Sequence, residues 1–133
     1  MLVVLAVSDG SIQIMDAKSG SLKKVFNSDL KPNLSVSVST SEGTAIVSYV
    51  RYQKTFYDPI KLSHLLIDLR GFDSKKIEGN VPEVYTIKTT NSPDSKFYLV
   101  ESTNTDKKKL VQIINVDHGA VMSKHLDNCF FAF

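Results

Sequence analysis

Apolar residues in this chain fall into short runs, rich in Val, Ile, Tyr and Phe and bounded by Gly, Pro, Asn, Asp and Ser. That is the strand-and-turn pattern, and helical periodicity is nearly absent. Residues 2–7 read as a strand and Asp9-Gly10 as a tight turn, where positive φ is tolerated. Residues 11–15 alternate Ile12 and Ile14 against polar neighbours, Ala17-Lys18-Ser19-Gly20 turns, and 22–26 is a third strand. In a second unit, 34–39 alternates Leu34, Val36 and Val38 with serines, so one face is buried and the other wet. Thr40-Ser41-Glu42-Gly43 turns into a strand over 44–51, and a long connection precedes another over 63–69. Gly71-Phe72-Asp73-Ser74 then leads to a polar outer strand at 75–78, and polar edges discourage pairing with other molecules. The third unit has strands at 84–88, 96–101, 110–116 and 120–124, with turns at Ser92-Pro93-Asp94-Ser95, 105–109 and Asp117-His118-Gly119. The last apolar run, 129–133, has no partner in its own unit.

An apolar-apolar-Asp/Asn step marks each unit: Ile14-Met15-Asp16, Leu66-Ile67-Asp68 and Ile113-Ile114-Asn115. Its spacing of roughly 50 residues is close to the period of propeller blades. The segment from Ser8-Asp9-Gly10 through Asp16 to Ser19-Gly20 resembles the second-to-third-strand segment of WD40-like and related β-propeller repeats. Ser92-Pro93-Asp94 resembles their hairpin between first and second strands, and Ser41-Glu42-Gly43 is a looser version of it. The resemblance covers the whole chain. It departs where the family often carries Trp, since Met15, Ile67 and Ile114 stand there, and the opening Gly-His pair is missing. The family's His–Ser/Thr–Asp–Trp bonding network is therefore not carried over.

The resemblance implies an all-β domain over 1–133 of three four-stranded blades, a half propeller. The first blade spans 2–28 completed by 129–133, the second 33–79 and the third 83–127. A ring takes about 4–8 blades, so two copies would give six, and a two-fold pair is the commonest symmetry. Cys129, Phe130, Phe131 and Phe133 would then self-associate, as an innermost strand lent to the partner's first blade. The other reading makes the chain one piece of a longer propeller whose remaining blades come from other segments. An opening Met1 and the in-phase cut between first and second strands favour the dimer. A β-sandwich with accidental periodicity is the alternative architecture.

Composition narrows the class. A chain of 133 residues fits one domain and buries well over half of its unfolded surface. At 42% hydrophobic and 23% charged it is an ordinary soluble globular chain, and a net charge of +2 is too small to imply a polyanionic partner. Its one cysteine excludes an intramolecular disulfide and any multi-cysteine zinc site, which favours a reducing compartment. The apolar opening is brief and has no basic lead-in, so it reads as a strand and not a signal peptide, and nothing reaches transmembrane length. A cytoplasmic location without membrane contact is expected.

Candidate chemistry is sparse. His64, His118 and His125 lack metal-ligand spacing and are expected on exposed strands or turns. Asp16 and Asp68 are expected to accept backbone hydrogen bonds at turns. No phosphate-binding Gly-rich loop, nucleophile elbow or zinc signature is present, so neither enzyme activity nor a cofactor is expected. Cys129, in an apolar strand, behaves as a small hydrophobe. The connection over 51–61 mixes aromatics with cations, and Arg51, Tyr52, Lys54, Phe56, Tyr57 and Lys61 are the candidate partner-binding residues. Such side chains anchor protein interfaces or stack on single-stranded nucleic acid, and equally pack a hairpin onto a neighbouring blade. Lys107-Lys108-Lys109, Lys23-Lys24 and Lys75-Lys76 form either a basic rim or solvated edges. The expected function is a non-enzymatic protein-interaction scaffold. A nucleic-acid-associated module is the alternative, and a hydrolase or lectin with an axial pocket is a third class such folds host.

Overall fold

A computed structural model describes residues 1–7, 11–27, 33–51, 62–79, 84–104, 109–119 and 121–126. All regular structure among them is strand. The first sheet is β1 (Leu2–Ala6), β2 (Ser11–Asp16) and β3 (Leu22–Asn27). The middle sheet is β4 (Asn33–Ser41), β5 (Thr44–Arg51), β6 (Leu62–Asp68) and β7 (Ser74–Glu78). The third is β8 (Val84–Asn91), β9 (Phe97–Asn104), β10 (Lys109–Asn115) and β11 (Val121–Leu126). Every sheet is an antiparallel meander in which sequence neighbours pair.

The described elements fall near where the alternation of apolar and polar residues places them, but Thr40 and Ser41, expected in a turn, pair with Ala45 and Thr44 and carry β4 to Ser41. The strands of the third unit run longer than expected, to Asn91 and Asn104. Thr89, Thr90 and Asn91 look turn-like, yet they pair with Val100, Leu99 and Tyr98, and that ladder keeps them extended. Threonine is β-branched and suits a pleated strand. The Asp9-Gly10 turn and residues 129–133 lie outside the described residues.

The sheets stack because the middle one is apolar on both faces. Strand β5 turns Ala45, Val47 and Tyr49 toward Val4, Ile12 and Ile14 of the first sheet, joined by Leu65 and Ile67 from β6. Its alternate residue Ile46, with Leu66 and Ile77, packs on Tyr98, Val100 and Ile114 of the third sheet. All of Leu62–Ile67 is buried, the pattern of a strand covered on both faces. The edge strand β7 buries only Ile77.

One turn is built three times. The backbone N–H groups of Lys18, Arg70 and Asp117 donate to Oδ1 of Asp16, Asp68 and Asn115 at 3.0, 2.9 and 2.9 Å. The residue after each, Ala17, Leu69 and Val116, donates at 2.9 Å to the carbonyl just before β1, β5 or β9. Four residues past each Asp or Asn the chain turns through positive φ, at Gly20 (71°), Phe72 (60°) and Gly119 (63°). These three N–H groups return to the carbonyls of Asp16, Asp68 and Asn115 at 2.8, 2.9 and 2.8 Å. Asp16 and Asp68 thus act as the expected turn acceptors, and the Lys18 N–H holds the exposed Asp16 carboxyl below its ordinary pKa. Among the described residues no helix is long and apolar enough to cross a membrane.

Candidate functional site

The densest polar chemistry lies between the middle and third sheets. Ser48 on β5 and His64 on β6 are register partners on the face turned to the third sheet. Ser48 Oγ meets His64 Nδ1 at 2.8 Å, and His64 Nε2 meets Gln112 Oε1 of β10 at 2.7 Å. Gln112 Nε2 donates to Gly79 O at 2.9 Å and to Ser123 Oγ at 3.1 Å. The Gly79 carbonyl can only accept, so the amide nitrogen points to it and Oε1 faces the imidazole. His64 Nε2 must then carry the proton, Nδ1 accepts, and the Ser48 hydroxyl donates. Burial lowers the His64 pKa, opposed by the Gln112 hydrogen bond and the charge of Glu78, and the ring is neutral.

His64 is 0% exposed, which corrects the expectation of an exposed strand histidine. The missed signal was the unbroken apolar run Leu65-Leu66-Ile67 beside it, which marks a strand covered on both faces. His118 is exposed as expected, and the side chain of His125 lies outside the described residues. Ser48 and His64 have the pairing of a nucleophile and its base, but both are 0% exposed. No substrate carbonyl can approach, so the chain Ser48–His64–Gln112 fixes the setting of one sheet on another. A second cross-sheet tie joins the Tyr98 hydroxyl to Ser41 Oγ and Thr44 Oγ1, each at 2.9 Å.

At the turn end of the same two sheets lies an open cleft of about 360 Å³, with Asp68, Asp73, Lys75 and Asp117 on its walls. Lys75 Nζ crosses it to His118 O at 3.1 Å. Among the described residues no group of three or more His, Cys, Asp or Glu is placed to hold a metal ion.

The sequence-selected partner residues Tyr52, Lys54, Phe56, Tyr57 and Lys61 lie outside the described residues, as do Cys129, Phe130, Phe131 and Phe133. Arg51 ends β5. The strand ends at Arg51 and Leu62 lie opposite the Asp68 turn, since β5 and β6 run antiparallel. The described lysines sit on different sheets: Lys24 Nζ lies 5.7 Å from the Phe26 ring centre on β3, and Lys76 pairs with Glu78 at 3.5 Å on β7. Lys109 pairs with Glu101 at 3.7 Å on the third sheet. Lys107 and Lys108 lie outside the described residues.

The outer faces of the stack differ. On the first sheet Leu5, Leu22 and Val25 are 40%, 53% and 38% exposed. They share the face pointing away from the middle sheet, because Leu5 and Val25 both pair with Gln13, and Leu22 with Met15. Compared with protein-family models and with curated proteins, the chain matches none.

Proposed function

We propose that this chain is a non-enzymatic interaction scaffold, a propeller-like stack of blades that completes its ring with a second copy and presents loops to a protein partner. The carrying observation is the turn built three times at Asp16, Asp68 and Asn115, on sheets connected alike and stacked in sequence order. Repeats of this kind bury their faces on one another. The first sheet has, among the described residues, three strands where the others have four. Among the described residues β1 pairs only with β2, which leaves an edge of N–H and C=O groups for a further strand. Residues 129–133 of the second copy fill that edge. The segment from Arg51 to Lys61 joins β5 to β6 at the end opposite the repeated turns, and a rigid framework holds it for recognition.

Light scattering on the full chain should give twice its mass of 14.8 kDa. Deleting 129–133 should yield monomer or aggregate, and a truncated chain that keeps both assembly and melting temperature would refute strand exchange. Filter binding with single-stranded DNA and RNA at two salt concentrations should show no retention. Retention that falls steeply with salt would replace this reading with the nucleic-acid module.

A further inference from the structure

The two interfaces between sheets follow one plan and differ at the turn end. Phe72 and Gly119 are equivalent, each four residues past its Asp or Asn, at φ of 60° and 63°. Phe72 packs against the core shared by the first and middle sheets. Gly119 brings no side chain to the interface between the middle and third sheets. There the cleft of about 360 Å³ stands open, with Leu66 and Val116 as its apolar floor. A Cβ on Gly119 would stand 2.8 Å from Lys75 Nζ, so this lysine lies across the space that the missing side chain would enter.

Charge differs along with the plug. Asp68, Asp73 and Asp117 line the open cleft with Lys75, three carboxylates against one ammonium. In the plugged interface the equivalent positions hold Asp16, Ser21, Arg70 and Lys24, one carboxylate against two cations. The equivalence is structural: Ser21 O accepts from Asp16 N as Asp73 O does from Asp68 N, and Lys24 pairs with Ile14 as Lys75 does with Leu66. We infer that the open cleft receives an arginine side chain of a protein partner. Its stem covers Leu66 and Val116, as Phe72 covers the equivalent core. Its planar guanidinium brings the flat shape of the plug and a fork of donors for the carboxylates, where a lysine brings only a point charge. Lys75 is exposed, held at 3.1 Å by the His118 carbonyl, and competes with the incoming cation. The site lies within one chain, at the opposite end of the sheets from the segment between Arg51 and Lys61, and does not depend on a second copy.

Nuclear magnetic resonance titration of the full chain tests it. The probe is a short peptide of glycines and serines with one arginine, set beside the same peptide with citrulline, which keeps the shape and loses the charge. The arginine peptide should shift the amides of Leu66, Lys75, Val116 and Gly119 and saturate at millimolar concentration. The citrulline peptide should bind about tenfold more weakly. Lys75→Ala removes the resident cation and should tighten arginine binding about two- to fivefold. Gly119→Phe sets phenylalanine at the φ that Phe72 already adopts, so it should close the cleft and abolish binding with the far-ultraviolet spectrum unchanged. Should that chain fail to fold, Asp73→Asn with Asp117→Asn carries the test at two exposed positions, and should erase the preference for arginine over citrulline. Equal affinity for the two peptides, saturable shifts confined to other residues, or no saturable binding of the arginine peptide overturns the assignment.

Discussion

At Gln112 one amide satisfies three groups on three strands or their ends. Gln112→Ala strands the His64 Nε2–H and the Gly79 carbonyl in a buried space, at about 1–3 kcal/mol for each orphan. Urea unfolding should show that loss, and adding His64→Leu should restore part of it, because an unpaired donor then disappears. The imidazole also sets a pH dependence. Its folded pKa lies below the ordinary 6.5, so the unfolded chain takes up a proton more readily than the folded one. This contribution to stability is complete above about 6.5 and is lost as pH falls toward the depressed folded value. The urea midpoint of the native chain should drop through that window, and His64→Leu should flatten the drop. Beside the imidazole, a Cβ on Gly79 would stand 2.6 Å from Leu62 O. Backbone cannot yield as a flexible side chain can, so Gly79→Ala should cost about 1–3 kcal/mol in the same assay. Glycine is required there by close approach, and nothing in its sequence neighbours announces that.

Among the elements, the repeated turns show how far local sequence reaches. Asp16 with Gly20 and Asn115 with Gly119 are legible as turns, because Asp and Asn accept from the backbone two residues on and Gly adopts positive φ. Phe72 in the equivalent place is not legible, since a bulky side chain disfavours φ of 60°. It is held there by the paired strands and by packing against the first core cluster together with Leu69. Gly20 has nothing within 4 Å of where a Cβ would stand, so Gly20→Ala tests the backbone term alone. Thermal unfolding should register a loss of about 1–2 kcal/mol. A loss near zero would mean that the turn shifts to negative φ without disturbing β2 and β3.

For the whole molecule, the middle sheet carries the assembly of layers. Ile67 faces the first sheet and Ile46 the third, and both are 0% exposed. Ile67→Ala and Ile46→Ala should each cost about 2–5 kcal/mol. Hydrogen exchange would separate them: the first should speed exchange in β1 and β2, the second in β9 and β10. Equal loosening of all three sheets by either change would show one cooperative unit with no layer-by-layer order.

Most of the described strands, and the order of three antiparallel meanders, were in the sequence, because side-chain alternation and short hairpins are properties of neighbouring residues. Only the tertiary structure set which face lies on which. His64 and Gln112 are 48 positions apart, and no periodicity links them. Their bond exists because two sheets, each patterned locally, meet with a polar residue opposite a polar residue. That meeting took a histidine expected in water and enclosed it, since a side chain's solvent is decided by the layer above it.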